Sequence, residues 1–104
     1  MNPAGAVWTL SENAHGRLQA VSFELLAWGR GLADELGVPL CAVVLGEHLP
    51  DSTLQALIHH GADLVLALEH PALAQFLVRP QAQVLRALVE RYQPQVFLAA
   101  ATTT

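Results

Sequence analysis

Apolar residues gather in three uninterrupted runs, Leu40–Leu45, Leu64–Leu68 and Val96–Ala101, preceded by the short apolar, β-branched and aromatic run Val7–Leu10, with stretches of mixed polarity between. Runs without polar alternation suit strands covered on both faces. Between Val7–Leu10 and Leu40–Leu45 the spacing predicts a helix capped by Ser22, with Leu25, Gly29, Leu32 and Leu36 on one face and Leu26 and Ala33 widening it. Gly37 ends that helix and Pro39 prevents its return. Ser52-Thr53-Leu54-Gln55 fits a capping box opening a short helix that buries Leu54, Leu57 and Ile58 and stops at Gly61. After Glu69-His70-Pro71, residues Ala72–Val78 read as an irregular or single-turn connection. Pro80 then suits the first position of a helix whose Val84, Leu85, Leu88, Val89 and Tyr92 share a face, with Pro94 beyond its end.

Strand and helix therefore alternate, which implies a three-layer α/β/α domain: a parallel sheet with right-handed crossovers and helices on both faces. Gly29 costs its helix about 1 kcal/mol relative to Ala, so a strand is expected to approach closely there. Ligands of such sheets sit beyond the carboxyl ends of the strands, here Ser11–Gly16, Gly46–Pro50, Glu69–Pro71 and Thr102–Thr104.

The 104 residues make one domain, and with 53% apolar against 13% charged residues it must bury much of itself in a core or against a partner. Nine acids face five scattered arginines, Arg17, Arg30, Arg79, Arg86 and Arg91, and there is no lysine. No cationic stripe for nucleic acid can be assembled from these. A triphosphate loop lacks its lysine, and a dinucleotide loop lacks its glycines, since Gly16 stands alone between the first strand and first helix. Cys41 is the only cysteine, so no intramolecular disulfide forms and a reducing, cytoplasmic setting is expected. Neither an export signal nor an apolar stretch of about 18 residues is visible, so no membrane insertion is expected.

Candidate chemistry is sparse. His15, His48, His59, His60 and His70 invite a metal, but the adjacent His59 and His60 point about 100° apart on a helix, and no paired-cysteine or HExxH spacing supports them. Glu47, His48 and Asp51 could supply an acid and a base, yet no nucleophile elbow exists and Cys41 lies in mid-strand. No catalytic and no metal-binding residue is assigned. Trp8, Trp28 and Phe76 could stack on a ring, but read as core. Thr102, Thr103 and Thr104 follow a central strand and precede a helix amino terminus in an intact domain, where hydroxyls and free amides suit a phosphate or another subunit's loop; an ordinary turn is the alternative.

Several segments carry a resemblance. Val7-Trp8-Thr9-Leu10-Ser11-Glu12, His15-Gly16-Arg17-Leu18, Val21-Ser22-Phe23-Glu24-Leu25-Leu26 and Leu32-Ala33-Asp34-Glu35-Leu36-Gly37 resemble the opening of electron-transfer flavoprotein alpha subunits. The likeness continues through Gly61-Ala62-Asp63, Pro71-Ala72-Leu73-Ala74 and Tyr92-Gln93-Pro94 to Ala100-Ala101-Thr102-Thr103-Thr104. Phe76 stands where a tyrosine is common, and the family continues after the threonines with Gly-Arg-Asp and a helix.

The resemblance implies an electron carrier rather than an enzyme: an alpha–beta heterodimer with FAD that accepts electrons from flavin dehydrogenases, such as acyl-CoA dehydrogenases. Residues 1–104 would be the front part of its N-terminal α/β domain, of the adenine-nucleotide-binding (Rossmann-like) type, ending at the fourth strand and docking the beta subunit. The FAD-binding domain is then absent, and no cofactor is expected on this segment alone. Only Thr102, Thr103 and Thr104 match a family motif near an interface or the cofactor side. An uncovered last strand also leads us to expect self-association of the segment. The alternative is a stand-alone nucleotide-binding module of the universal-stress type, which needs a glycine-rich phosphate loop that Thr102–Thr104 lack. A hydrolytic enzyme stands further off, without a nucleophile.

Overall fold

The apolar runs form the strands of one parallel sheet. A computed structural model describes residues 1–73 and 78–100. In chain order the elements are β1 (Val7–Ser11), β2 (Asn13–Ala14), β3 (Arg17–Leu18), α1 (Ala20–Leu36), β4 (Leu40–Gly46), α2 (Asp51–His59), β5 (Leu64–Glu69), a single 3-10 turn at Pro71–Leu73, α3 (Val78–Tyr92) and β6 (Val96–Leu98). The four long strands pair in the order β5-β4-β1-β6, all parallel, while β2 and β3 make a separate antiparallel hairpin. Among the described residues no helix is long and apolar enough to cross a membrane.

Alternation along the strands divides the core into two layers. Val7, Leu40, Ala42 and Val44 meet Leu26 and Ala33 of α1 and Leu57 of α2 on one face. Trp8, Cys41, Val43 and Leu45 meet Val84, Leu85, Leu88, Val89 and Tyr92 of α3 on the other. The chain winds outward from β1 through β4 to β5, then crosses back through α3 to lay β6 on the other side of β1. The winding order thus reverses between β1 and β6 while all four strands stay parallel. Both central strands are buried along their whole length, whereas the edge strands β5 and β6 are half-covered.

Gly29 meets the expectation of a close strand: a Cβ there would stand 2.7 Å from Leu40 Cδ1 and 2.8 Å from Thr9 Cγ2. Gly37 ends α1 at φ 68°, a left-handed conformation that glycine adopts without penalty. Trp8 is fully buried, edge-on to Phe97 at 5.5 Å between ring centroids, and its indole N–H donates to Pro3 O at 2.9 Å.

Several expectations are corrected. Ser22 does not cap α1, which begins at Ala20 with Gln19 in the cap position and no side-chain cap bond. Instead Ser22 is buried in the first turn, where its hydroxyl accepts from Glu12 N at 2.8 Å and donates to Glu12 O at 2.9 Å. This bond satisfies both backbone groups of the residue after β1, a stronger claim on the hydroxyl than a helix end that water can reach. The buried face of α1 is accordingly Ser22, Leu26, Gly29 and Ala33; Leu25 and Leu32 are half-buried and Leu36 is 41% exposed. Trp28 is not core but 78% exposed. The capping box at Ser52 does not form, because α2 starts one residue earlier, at Asp51 behind Pro50, and Ile58 turns outward at 49% exposure. α3 begins at Val78, so Pro80 falls within its first turn, where backbone N–H groups need no helical partner. β6 closes at Leu98 rather than running to Ala101. Phe76 and Thr102–Thr104 lie outside the described residues.

Candidate functional site

At the carboxyl ends of the strands, where the fold class places ligands, the chain folds back on itself. The β2–β3 hairpin turns at His15 (φ 53°) and Gly16 (φ 82°). Asn13 Nδ2 donates to Leu45 O at 2.7 Å and Asn13 Oδ1 accepts from Gly16 N at 3.1 Å, so one side chain holds the turn to the end of β4. The Thr53 hydroxyl donates to Gly16 O, locking the hairpin to the first turn of α2. A Cβ at position 16 would meet His48 O at 2.8 Å and Pro50 Cδ at 2.9 Å, so glycine is needed for both the turn and the contact.

Next to the hairpin, Glu69 bridges β5 to the loop after β4. Its Oε2 accepts from Leu49 N at 2.7 Å and lies 3.7 Å from His48 Nδ1. The clefts left over are a space of about 220 Å³ beside Asn13, His15, Glu47 and His48, and one of about 410 Å³ between the hairpin and α2, touched by Arg17, Phe23, Ser52 and Thr53.

These residues do not fit a flavin dinucleotide. Glu47 lines the smaller cleft, where a pyrophosphate would need N–H groups and cations, and the hairpin occupies the turn where a glycine-rich loop would cradle it. Among the described residues lining these two clefts, Arg17 is the only guanidinium.

Of the other sequence candidates, the structure brings His48 to Glu69 but places no nucleophile beside them among the described residues. The Thr53 hydroxyl is engaged with Gly16 O, and burial pushes the Cys41 thiol up to about 11. Asp51 sits in the first turn of α2, where a carboxylate is favoured by the helix end. His60 stacks on Phe23 with ring centroids 4.1 Å apart, its Nδ1 2.8 Å from Ala56 O. No group of three or more His, Cys, Asp or Glu is placed to hold a metal among the described residues.

The direct reading of the sequence passed over two groups. Thr9 Oγ1 and Ser11 Oγ are buried without a hydrogen-bond partner among the described residues. Both lie on β1, adjoining β6, where the winding order reverses. Their signal was the alternation Trp8, Thr9, Leu10, Ser11, which sets two hydroxyls on the face that carries α1.

Comparison with known proteins adds a consistent set of likenesses. The sequence model of the family described as electron transfer flavoprotein domain matches residues 7–104. The electron transfer flavoprotein subunit alpha of Clostridium acetobutylicum is 42% identical over 96 residues, which cover 92% of this chain and 28% of that protein. Protein FixB of Rhizobium meliloti is 41% identical over 100 residues, covering 93% of this chain and 28% of FixB. The acryloyl-CoA reductase electron transfer subunit beta of Anaerotignum propionicum is 36% identical over 96 residues, 92% of this chain and 26% of that subunit. The chain thus spans less than a third of the length of these curated relatives.

Proposed function

The chain belongs to the electron transfer flavoprotein domain family, and from that membership we propose that it forms the front of the N-terminal α/β domain of an alpha subunit in a heterodimeric electron carrier. In this reading residues 1–104 are a docking and framing unit, with no reaction of their own. They support a beta subunit, while FAD is held elsewhere in the intact assembly. The heterodimer accepts electrons from flavin dehydrogenases and passes them on, in the cytoplasm. Thr102, Thr103 and Thr104 then face the subunit interface or the cofactor side.

One observation carries the proposal: a match running through residues 7–104 to relatives named as electron-transfer subunits. The hairpin covers the strand ends on the β4 side of β1, and a segment so closed suits a scaffold better than a holder. The open edge of β6 also favours self-association where no partner covers it.

The test is co-expression of the complete gene product with its beta subunit. We expect a one-to-one complex with bound FAD whose flavin absorbance bleaches when an acyl-CoA dehydrogenase and its substrate are added. A complex that forms without flavin, or one that no flavin dehydrogenase reduces, counts against the reading. For the stand-alone nucleotide module, calorimetry of residues 1–104 with ATP and AMP decides, and low-micromolar binding would reverse the assignment.

A further inference from the structure

The inward stripe of α1, Ser22, Leu26, Gly29 and Ala33, follows the spacing i, i+4, i+7, i+11. The outward residues Glu24, Trp28, Gly31 and Glu35 repeat that spacing on the opposite side, and all are exposed. The inner glycine has its reason in the sheet it touches. The outer one has none among the described residues: a Cβ at Gly31 meets nothing within 4 Å there, so the helix carries the penalty of a mid-helix glycine without a contact to show for it. Beside it stands Trp28, 78% exposed, at the rim of a groove of about 190 Å³ shared with Val21, Leu25, Leu98 and Ala99. An exposed tryptophan flanking an apolar groove is the composition of an interface centre.

We infer that this outer stripe of α1 is a docking face for a different polypeptide, one that presents a helix with an apolar face flanked by arginine or lysine. Gly31 admits the partner's backbone as Gly29 admits β1 and β4. The charge of the stripe selects the occupant. Glu24 and Glu35 flank the tryptophan, and the only basic residue of α1, Arg30, is already bonded to Asp34 Oδ1 at 2.9 Å, Asp63 Oδ2 at 3.0 Å and Gly61 O at 2.7 Å. A second copy of this chain crossing between Trp28 and Gly31 would set Glu24 of each against Glu35 of the other, a repulsive register. A partner guanidinium instead finds the Trp28 ring to lie over and Glu24, one helical turn away, to pair with.

The probe is a synthetic amphipathic helix of about 20 residues, long enough to be helical, with a Leu/Ala face flanked by arginines; its control carries glutamates in their place. The readout is Trp28 emission, since Trp8 is buried and does not sense solvent. We expect the arginine peptide to bind saturably with a blue shift and the glutamate peptide not to bind. Gly31→Leu should weaken binding by about tenfold or more, and Glu24→Gln with Glu35→Gln should remove most of its salt dependence. Gly31→Ala separates docking from folding: it should raise the melting temperature of the free protein while weakening the peptide. Equal binding of the two peptides, unchanged affinity in Gly31→Leu, or no saturable binding up to about the millimolar range overturns the assignment. The docking depends on α1 alone, so its failure would leave the electron-carrier reading intact.

Discussion

Asp63 and Arg30 join the loop before β5 to the outer half of α1: Arg30 Nη1 donates to Asp63 Oδ2 at 3.0 Å, and the same oxygen accepts from Leu40 N at 2.9 Å. The Leu40 N–H holds the Asp63 carboxyl below its ordinary value of 3.8; burial opposes this and the Arg30 guanidinium reinforces it. For Arg30, burial works against the charge, but Asp63 and Asp34 outweigh it and its pKa is raised. Because the folded pKa of Asp63 lies below its unfolded value, its stabilisation is present above that value and disappears as the pH falls through the folded pKa. Urea melts from pH 7 to pH 2 should therefore show wild type losing part of its advantage over Asp63→Asn on the acid side, below about pH 4. A constant difference across that range would remove the linkage.

Filling the space at Gly29 should be costly. With Leu40 Cδ1 2.7 Å and Thr9 Cγ2 2.8 Å from the new methyl, Gly29→Ala must push α1 off the sheet or displace both side chains, a destabilisation of about 1–3 kcal/mol despite the better helix propensity of alanine. At Gly31 the same change should stabilise by up to about 1 kcal/mol. Parallel urea melts of the two variants give opposite signs if α1 has the described phase.

Leu26 is fully buried between α1 and the sheet, so Leu26→Ala should cost about 2–5 kcal/mol. Leu32 and Leu88 are only half-buried, and their alanine variants should cost less than Leu26→Ala. Denaturant midpoints will rank the three, and Leu32→Ala as the worst of them would contradict the described packing.

Ser22→Ala should destabilise by about 1–3 kcal/mol, because it strips the partner from Glu12 N at a part-buried turn and leaves Glu12 O with Gln19 N, at 2.8 Å, as its remaining donor. Ser22→Thr keeps the hydroxyl and should lose less. Amide exchange at Glu12 offers the local check, accelerating in the alanine variant if the bond protects it.

β4 and β5 were legible because their apolar runs are continuous, a pattern that needs no knowledge of neighbours, and β1 because its β-branched and aromatic residues stop at Ser11-Glu12-Asn13. The phase of α1 was less so. Leucines at 25, 32 and 36 outweigh Ser22 and Gly29 on any hydrophobicity count, yet the sheet selects the small residues because they allow close approach. The hairpin escaped notice for a related reason: strands of two residues have no periodicity, and theirs are held by Asn13 and Thr53 reaching Leu45 O and Gly16 O across long sequence separations. At the strand ends the sequence exposed the polar residues but not their pairing, such as Glu69 with Leu49 N. The order β5-β4-β1-β6 likewise depends on which edge α3 returns to, which no local window records.

The fully buried position of Cys41 bears on how this domain meets an oxidant. Peroxide carries a thiol exposed as thiolate to sulfenic and higher acids. Cys41 has neither access nor the thiolate, whereas Met1, the sole methionine, is 84% exposed. Peroxide should therefore mark folded residues 1–104 at Met1 and reach Cys41 only through unfolding. The two sulfur atoms are thereby divided into an exposed one, whose oxidation leaves the sheet undisturbed, and a sealed one in its interior.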